Sequence, residues 1–273
     1  MTELGLARRV REHDGVEPLN EASQLALRDG VVPRVDDGVR ADDTLIALAY
    51  AAGDAPVEVL VDPAHRRRGI GTALLRRALH AGETRFWAHG QLPGAVALAE
   101  RNGLVAIRTL LVLRLRFDGP PAPERDVEGV TLRAFRPGDT DAVLEINRRA
   151  FASHPEQGAM DHADFERRVA SDWYDPEGLF VAERDGRVIG FHWTKIEDGI
   201  GEVYVVGVDP DEHGGGLGTA LTARGLRHLH ERGVDVVDLY VESDNAPALA
   251  VYHRLGFTEH GRDVLYASDA SGA

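Results

Sequence analysis

Two glycine-containing turns carry the residues best placed for chemistry. One reads VDPAHRRRGIGTAL, from Val61 to Leu74; the other reads VDPDEHGGGLGTAL, from Val208 to Leu221. Each follows an apolar, β-branched run and opens a helical pattern. The first amides of a helix have no intrahelical partner and lie at the positive end of the helix dipole, so such a turn can hold a phosphate. Glycines let the backbone approach the anion closely and take a positive φ without a side-chain clash. A flexible strand-to-helix connection has the same composition, so spacing must decide. Neither segment has the lysine of a P-loop, and the third glycine of a dinucleotide fingerprint would fall on Leu74 or Leu221. The pattern left is [Q/R]-x-x-G-x-[G/A]. Arg66 to Gly71 meets it in full, and His213 to Gly218 meets it apart from its first residue.

The elements around the turns repeat as well. Val61, Asp62, Pro63, Gly69, Gly71, Thr72, Ala73 and Leu74 align without gaps on Val208, Asp209, Pro210, Gly216, Gly218, Thr219, Ala220 and Leu221. PVEVLV and GEVYVVGV read as the strands before the turns, and TALLRRALHAG and TALTARGLRHLHERG as the helices after them, ending at Gly82 and Gly233. Another strand, a short helix and a last strand (RTLLVLRLRF or DVLYA) follow in each half. The stretch at 118–128 is rich in proline, glycine and charge and reads as a linker. The division expected is therefore 1–117, a linker, and 129–273. LFVAERDGRVIGFHWTKI reads as a hairpin turning at Asp185-Gly186. The first half looks abbreviated before Thr44.

Composition narrows the function classes. A chain of 273 residues with a net charge of -14 and no basic stripe is a poor partner for duplex nucleic acid. The absence of cysteine excludes disulfides, thiolate nucleophiles and Cys-based metal sites. The twelve histidines have no metal-ligand spacing, so no metal is expected. No segment approaches the roughly 20 apolar residues of a membrane span, and the N-terminus lacks a signal-peptide core. A cytoplasmic monomer is expected. Lys195 is the single lysine among 31 basic residues, a hint that a compact ammonium is needed there.

The third turn pattern resembles that of the GNAT superfamily, the acyl-CoA-dependent N-acyltransferases. FWAHG (86–90), FASHPEQG (151–158), FHWTK (191–195), GEVYVVGVDP (201–210) and LYVESDN (239–245) resemble, more narrowly, the mycothiol synthase family. The resemblance is dense in the second half and sparse before residue 56. It implies an α/β fold of two tandem GNAT-like domains, each a mixed, mostly antiparallel sheet flanked by helices. It also implies transfer of acetyl from acetyl-CoA to the cysteinyl amine of a cysteine–glucosamine–inositol conjugate. Another amine as acceptor, or a non-catalytic acyl-CoA sensor, stays open at this point.

Acyl transfer to an amine needs a base for the amine, a donor for the tetrahedral oxyanion and a proton for the leaving thiolate. The resemblance implies Glu202 as the base, through water, and Tyr252 as the acid; by residue type alone these are equally a solvated strand-end charge and a packed tyrosine. It implies coenzyme binding by Val206, Gly207 and Val208, by His213, Gly214, Gly215, Gly216, Leu217, Gly218 and Thr219, and by Asn245, Ala246, Pro247, Ala248, Leu249 and Ala250. A second coenzyme site is implied at Val59, Leu60, Val61, Arg67, Arg68, Gly69, Ile70, Gly71 and Thr72. For the acceptor it implies Glu21, Glu156, Lys195, Glu202 and Tyr240. One departure stands out: His213, Gly214 and Gly215 lie where the family usually has Gln or Arg and two arginines. The first half lacks the acid–base pair. In the ungapped register Ala55 replaces Glu202, and PGAVALAERNGL holds no tyrosine.

Overall fold

The computed structural model describes residues 2–152 and 155–268, the side chains at 155 and 156 excepted. Two compact units emerge: Met1–Leu111 with Gly261–Ala273, and Val112–His260.

The first unit runs α1 (Glu3–Asp14), α2 (Glu21–Arg28), β1 (Val35–Ala41), β2 (Thr44–Ala51), β3 (Val57–Val61), α3 (Ile70–His80), β4 (Arg85–Ala88), α4 (Pro93–Arg101) and the start of β5 (Leu104–Arg116). The stretch before Thr44 thus holds two capped helices, with Thr2 and Asn20 side chains accepting from the first-turn amides. Strands β1, β2 and β3 pair antiparallel, and β4 joins β3 in parallel. Leu6, Val10, Leu48 and Leu60 form the core under α1, while Leu74, Leu75, Ala78, Ala99 and Phe86 form the one under α3 and α4.

The second unit continues with β6 (Thr131–Ala134), α5 (Thr140–Ala150), α6 (Pro155–Gly158), α7 (His162–Val169), β7 (Leu179–Arg184), β8 (Arg187–Glu197), β9 (Ile200–Val208), α8 (Leu217–Glu231), β10 (Val236–Glu242), α9 (Ala246–Arg254) and the start of β11 (Thr258–Ser268). Strands β6 to β9 are antiparallel neighbours and β10 joins β9 in parallel. Asp185 and Gly186, at φ 51 and 76, make the left-handed hairpin turn expected at that dipeptide. The stretch at 118–128 has no helix or strand, and Glu124 within it pairs with Arg224 and Arg227 of α8.

The compact units do not follow the chain linearly as 1–117 and 129–273 do. The last strand of each half serves the other unit. From Gly261 onward β11 belongs to the first unit, where Val264, Leu265 and Tyr266 pair antiparallel with Ala88, Trp87 and Phe86 of β4. From Val112 onward β5 belongs to the second unit and runs beside β10, and the Phe117 amide donates to Asp235 O at 2.9 Å. A strand's apolar pattern shows that it must be covered, not which neighbour covers it.

One buried histidine holds α8 in place. His192 on β8 is fully buried, and its Nδ1–H donates to the Leu221 carbonyl at 2.7 Å. Burial pushes its pKa down to about 4, so the ring stays neutral. The ring fits because residue 225 is glycine: a Cβ there would sit 2.0 Å from His192 Cε1. Gly225→Ala should therefore destabilise the protein by about 1–3 kcal/mol through overpacking, measured by denaturant unfolding; an unchanged midpoint would mean the helix shifts freely.

Candidate active site

The repeated V-D-P has a structural duty. Asp62 and Asp209 cap the short turns Pro63–His65 and Pro210–Glu212, accepting from the Ala64 and Asp211 amides. Each also takes an arginine from the first long helix of the strand-and-helix unit, Arg9 on α1 or Arg149 on α5, at 2.7 Å. These clamps set the path into the glycine turns.

The two turns share their left-handed positions. Arg67 and Gly214 are left-handed at φ 63 and 94, and Gly69 and Gly216 both sit at φ 81. The departure from the family pattern thus has a backbone rationale. Residue 214 takes a left-handed conformation that is unstrained for glycine and uncommon for arginine. His213 keeps the contact of its counterpart: its Nε2 lies 3.3 Å from Val208 O, as Arg66 Nε donates to Val61 O at 3.1 Å. Neither Gly69 nor Gly216 offers a side-chain cap, so the leading amides of α3 and α8 are left for another acceptor. Gly215 is exposed, and a Cβ at 214, 215 or 216 would meet nothing within 4 Å.

Beside each turn the sheet opens. The β9/β10 ladder is confined to Gly201↔Val237 and Glu202↔Asp238, so Val206, Gly207 and Val208 run on without a β10 partner among the described residues. The β3/β4 ladder is confined to Val57↔Phe86 and Glu58↔Trp87, leaving Val59, Leu60 and Val61 in the same position. An unpaired strand edge presents N–H and C=O groups to an extended ligand.

Lys195 and Glu202 are register partners on β8 and β9, so both leave the same face of the sheet. A bulge puts Tyr204 out of register between Val203 and Val205 and turns its ring toward that face, 5.7 Å from Trp193. Lys195 is only 9% exposed. Its Nζ lies 3.0 Å from Glu197 Oε2, 5.2 Å from the Trp173 ring and 5.7 Å from the Tyr204 ring. Arg168 of α7 donates to the Tyr204 hydroxyl at 2.7 Å. Trp173, Tyr204 and Arg168 were not singled out from sequence; they lie in the turn after α7, on β9 and on α7, and only the fold gathers them. Tyr240 is 49% exposed on β10, so its side chain is accessible to a ligand. Lys195→Ala should raise the acceptor KM about ten- to hundredfold, the loss of one hydrogen bond to a charged group, with kcat little changed in steady-state kinetics. An unchanged KM would remove Lys195 from the site.

Helix α9 begins at Asn245, whose Oδ1 accepts from the Ala248 amide at 3.2 Å. None of its residues is buried, so Ala246, Pro247, Ala248, Leu249 and Ala250 are accessible to a ligand. Tyr252 is half-buried: its ring stacks edge-on against Phe257 at 5.9 Å with part of its surface exposed, while withdrawal of its hydroxyl from water pushes the phenol up to about 12. It stays protonated at any physiological pH, as a proton donor must.

Glu21 opens α2 in the first unit, whereas Lys195, Glu202 and Tyr240 belong to the second. Glu156 lies in α6, with its side chain outside the described residues.

The first unit has no counterpart of Glu202 or Tyr252 among its described residues. Ala99 takes the seventh place of α4 that Tyr252 takes in α9, and it is buried. The ungapped register needs correcting by one residue: β2 and β3 pair from Ala47↔Val61 to Tyr50↔Glu58 without the bulge of β9, so Pro56 rather than Ala55 stands in Glu202's place. A buried ion cluster lies close by. His89 Nε2–H donates to Glu58 Oε1 at 2.7 Å and Nδ1–H to Asp263 Oδ2 at 2.9 Å. The Asn20 and Gly90 amides donate to the same two carboxylates. Burial opposes the charge on His89, but the two carboxylates outweigh it and raise the imidazolium pKa to about 10.

The GNAT acetyltransferase family model matches residues 25–104 and 140–257. A mycothiol acetyltransferase of Thermomonospora curvata is 50% identical, over 97% of this chain and 92% of its own. The chain belongs to the mycothiol acetyltransferase family, within the GNAT acetyltransferases. Solved structures agree on the two-domain GNAT fold. A GCN5-related N-acetyltransferase from Sphaerobacter thermophilus matches at TM-score 0.73 and 26% identity, over 96% of this chain and 90% of that one. A tandem GNAT protein from the clavulanic acid pathway matches at TM-score 0.69 and 23% identity, over 99% and 94%, which speaks to fold alone. Members of the GNAT family use acetyl-CoA. No helix among the described residues is long and apolar enough to cross a membrane.

Proposed function

We propose that this protein is a mycothiol synthase, and that its second unit transfers acetyl from acetyl-CoA to the cysteinyl amine of a cysteine–glucosamine–inositol conjugate. The observation that carries this reading is 50% identity along almost the whole chain to a mycothiol acetyltransferase. The site's chemistry is compatible with it. The uncapped amides of α8, from Leu217 to Thr219, hold the coenzyme diphosphate. The unpaired edge of β9, Val206 to Val208, takes the pantetheine arm and offers an N–H to the oxyanion. Glu202 accepts the amine proton through water. The nitrogen attacks the thioester carbon, the C–S bond breaks, and Tyr252 protonates the departing thiolate. Lys195 and Tyr240 bind the acceptor. The first unit binds acetyl-CoA at Val59–Val61 and Arg67–Thr72 without turning it over, since Pro56 and Ala99 replace the base and the acid.

The test is release of coenzyme A by the full chain with three acceptors: the cysteinyl conjugate, a peptide N-terminus and an aminoglycoside. Release and a one-acetyl mass gain with the first alone is expected. Preferential turnover of either other amine would change the acceptor, and acetyl-CoA binding without turnover of any would make the protein a sensor.

A further inference from the structure

Glu202 has a second carboxylate for a neighbour. Asp238 is its register partner across the β9/β10 ladder, so both side chains leave the same face of adjacent strands. Two carboxylates at that spacing disfavour each other's ionisation. Asp238 does not stand alone, however. Arg114, from the part of β5 in the same unit, grips it in a fork: Nε to Oδ1 and Nη2 to Oδ2, both at 2.6 Å. The pair is largely shielded, with side chains 20% and 15% exposed. The hydrogen bonds to Asp238 raise the guanidinium pKa above its ordinary value, desolvation opposing them and the charges of Asp238 and Tyr240 adding to them.

We propose that Arg114 and Asp238 are positioning residues for the amine-deprotonating step. Arg114 cancels the Asp238 charge, so Glu202 keeps its own negative charge down to the pH at which the acceptor must be deprotonated. The inference rests on the reading of Glu202 as the base. Among the described residues, the ionisable groups on the strands around Glu202 include Lys195 on β8, Tyr204 on its own strand with Arg168 of α7 on the hydroxyl, and Tyr240 on β10. All of them stay in place in the variants below, so a displaced titration reports on the Arg114–Asp238 pair.

The experiment is the pH dependence of kcat/KM for the full chain, as wild type and as R114Q, R114K, D238N, R114Q/D238N and E202Q. Calorimetric acetyl-CoA binding on each verifies a folded site. In R114Q the acid limb should move up by about one pH unit, the usual size of an uncompensated like-charge neighbour; activity at pH values below the limb should then fall about tenfold, with little change on the plateau. R114K, which keeps the charge and loses the fork, should move it less. Removing the Asp238 charge as well, in R114Q/D238N, should bring the limb back toward its wild-type position. A limb that stays put in R114Q, or a loss that is equal at all pH values and additive in the double variant, would overturn the inference. E202Q separates the two readings: if it keeps the wild-type limb, Glu202 is not the base; if it abolishes the limb while R114Q leaves it unmoved, only the present inference fails. Should R114Q not bind acetyl-CoA, R114K and the double variant carry the same comparison.

Discussion

Replacing Tyr252 by phenylalanine should lower kcat by about 10²–10³-fold, within the range of a single positioned acid, while acetyl-CoA affinity stays within about twofold. The ring that packs on Phe257 is retained, so the change removes the hydroxyl and little else. Burial holds that hydroxyl's pKa at about 12, so it enters each turnover protonated. Without it the thiolate leaves uncompensated, or takes its proton from water. Rapid-quench kinetics with saturating acetyl-CoA, alongside calorimetric binding, makes the test. A loss of less than about threefold would return Tyr252 to packing and leave the proton to another donor.

The second large effect is on stability. His89→Ala should cost about 3–5 kcal/mol, the usual penalty for removing one partner from a buried ion pair. Glu58 is fully buried, and its Oε2 has no hydrogen-bond partner, so the loss of His89 leaves that carboxylate with the Asn20 amide alone. Denaturant and thermal unfolding would measure it. The pH dependence has a definite sign. The folded value of about 10 lies above the unfolded value of about 6.5, so in that window the folded chain holds a proton that the unfolded chain has released. The contribution is complete below about pH 6.5, then shrinks by up to about 1.4 kcal/mol per pH unit, and is gone above about 10. The variant should lack this alkaline decline. If the decline persists in His89→Ala, another group causes it. Because Asp263 lies on β11, the same cluster ties the chain's last strand into the first unit.

The glycine turns show how much a sequence can hold by itself. Their spacing and duplication were enough to read two strand–turn–helix units, to exclude the P-loop and the dinucleotide fingerprint, and to carry a resemblance to the GNAT superfamily; the narrower family resemblance lay in longer strings such as FHWTK and GEVYVVGVDP. These are local facts: left-handed residues, helix starts and strand edges each lie within about ten residues of chain, and the sequence carries them without help from distant contacts. The absence of a Tyr252 counterpart in the first half was legible for the same reason, as Ala99 stands in a short helix. The position matching Glu202 was placed one residue off, since the bulge at Tyr204 is set by pairing with β8 and leaves no mark in composition. Only the tertiary structure decided what depends on partners far apart in the chain. It put Lys195 among Trp173, Tyr204 and Glu202, set Arg114 on Asp238, and closed Glu58, His89 and Asp263 into one buried cluster. It also handed β11 to the first unit and the end of β5 to the second. Each of these is a choice among neighbours that the same apolar pattern would accept, and the choice is made by which edges and charges are still unmatched when the chain has folded.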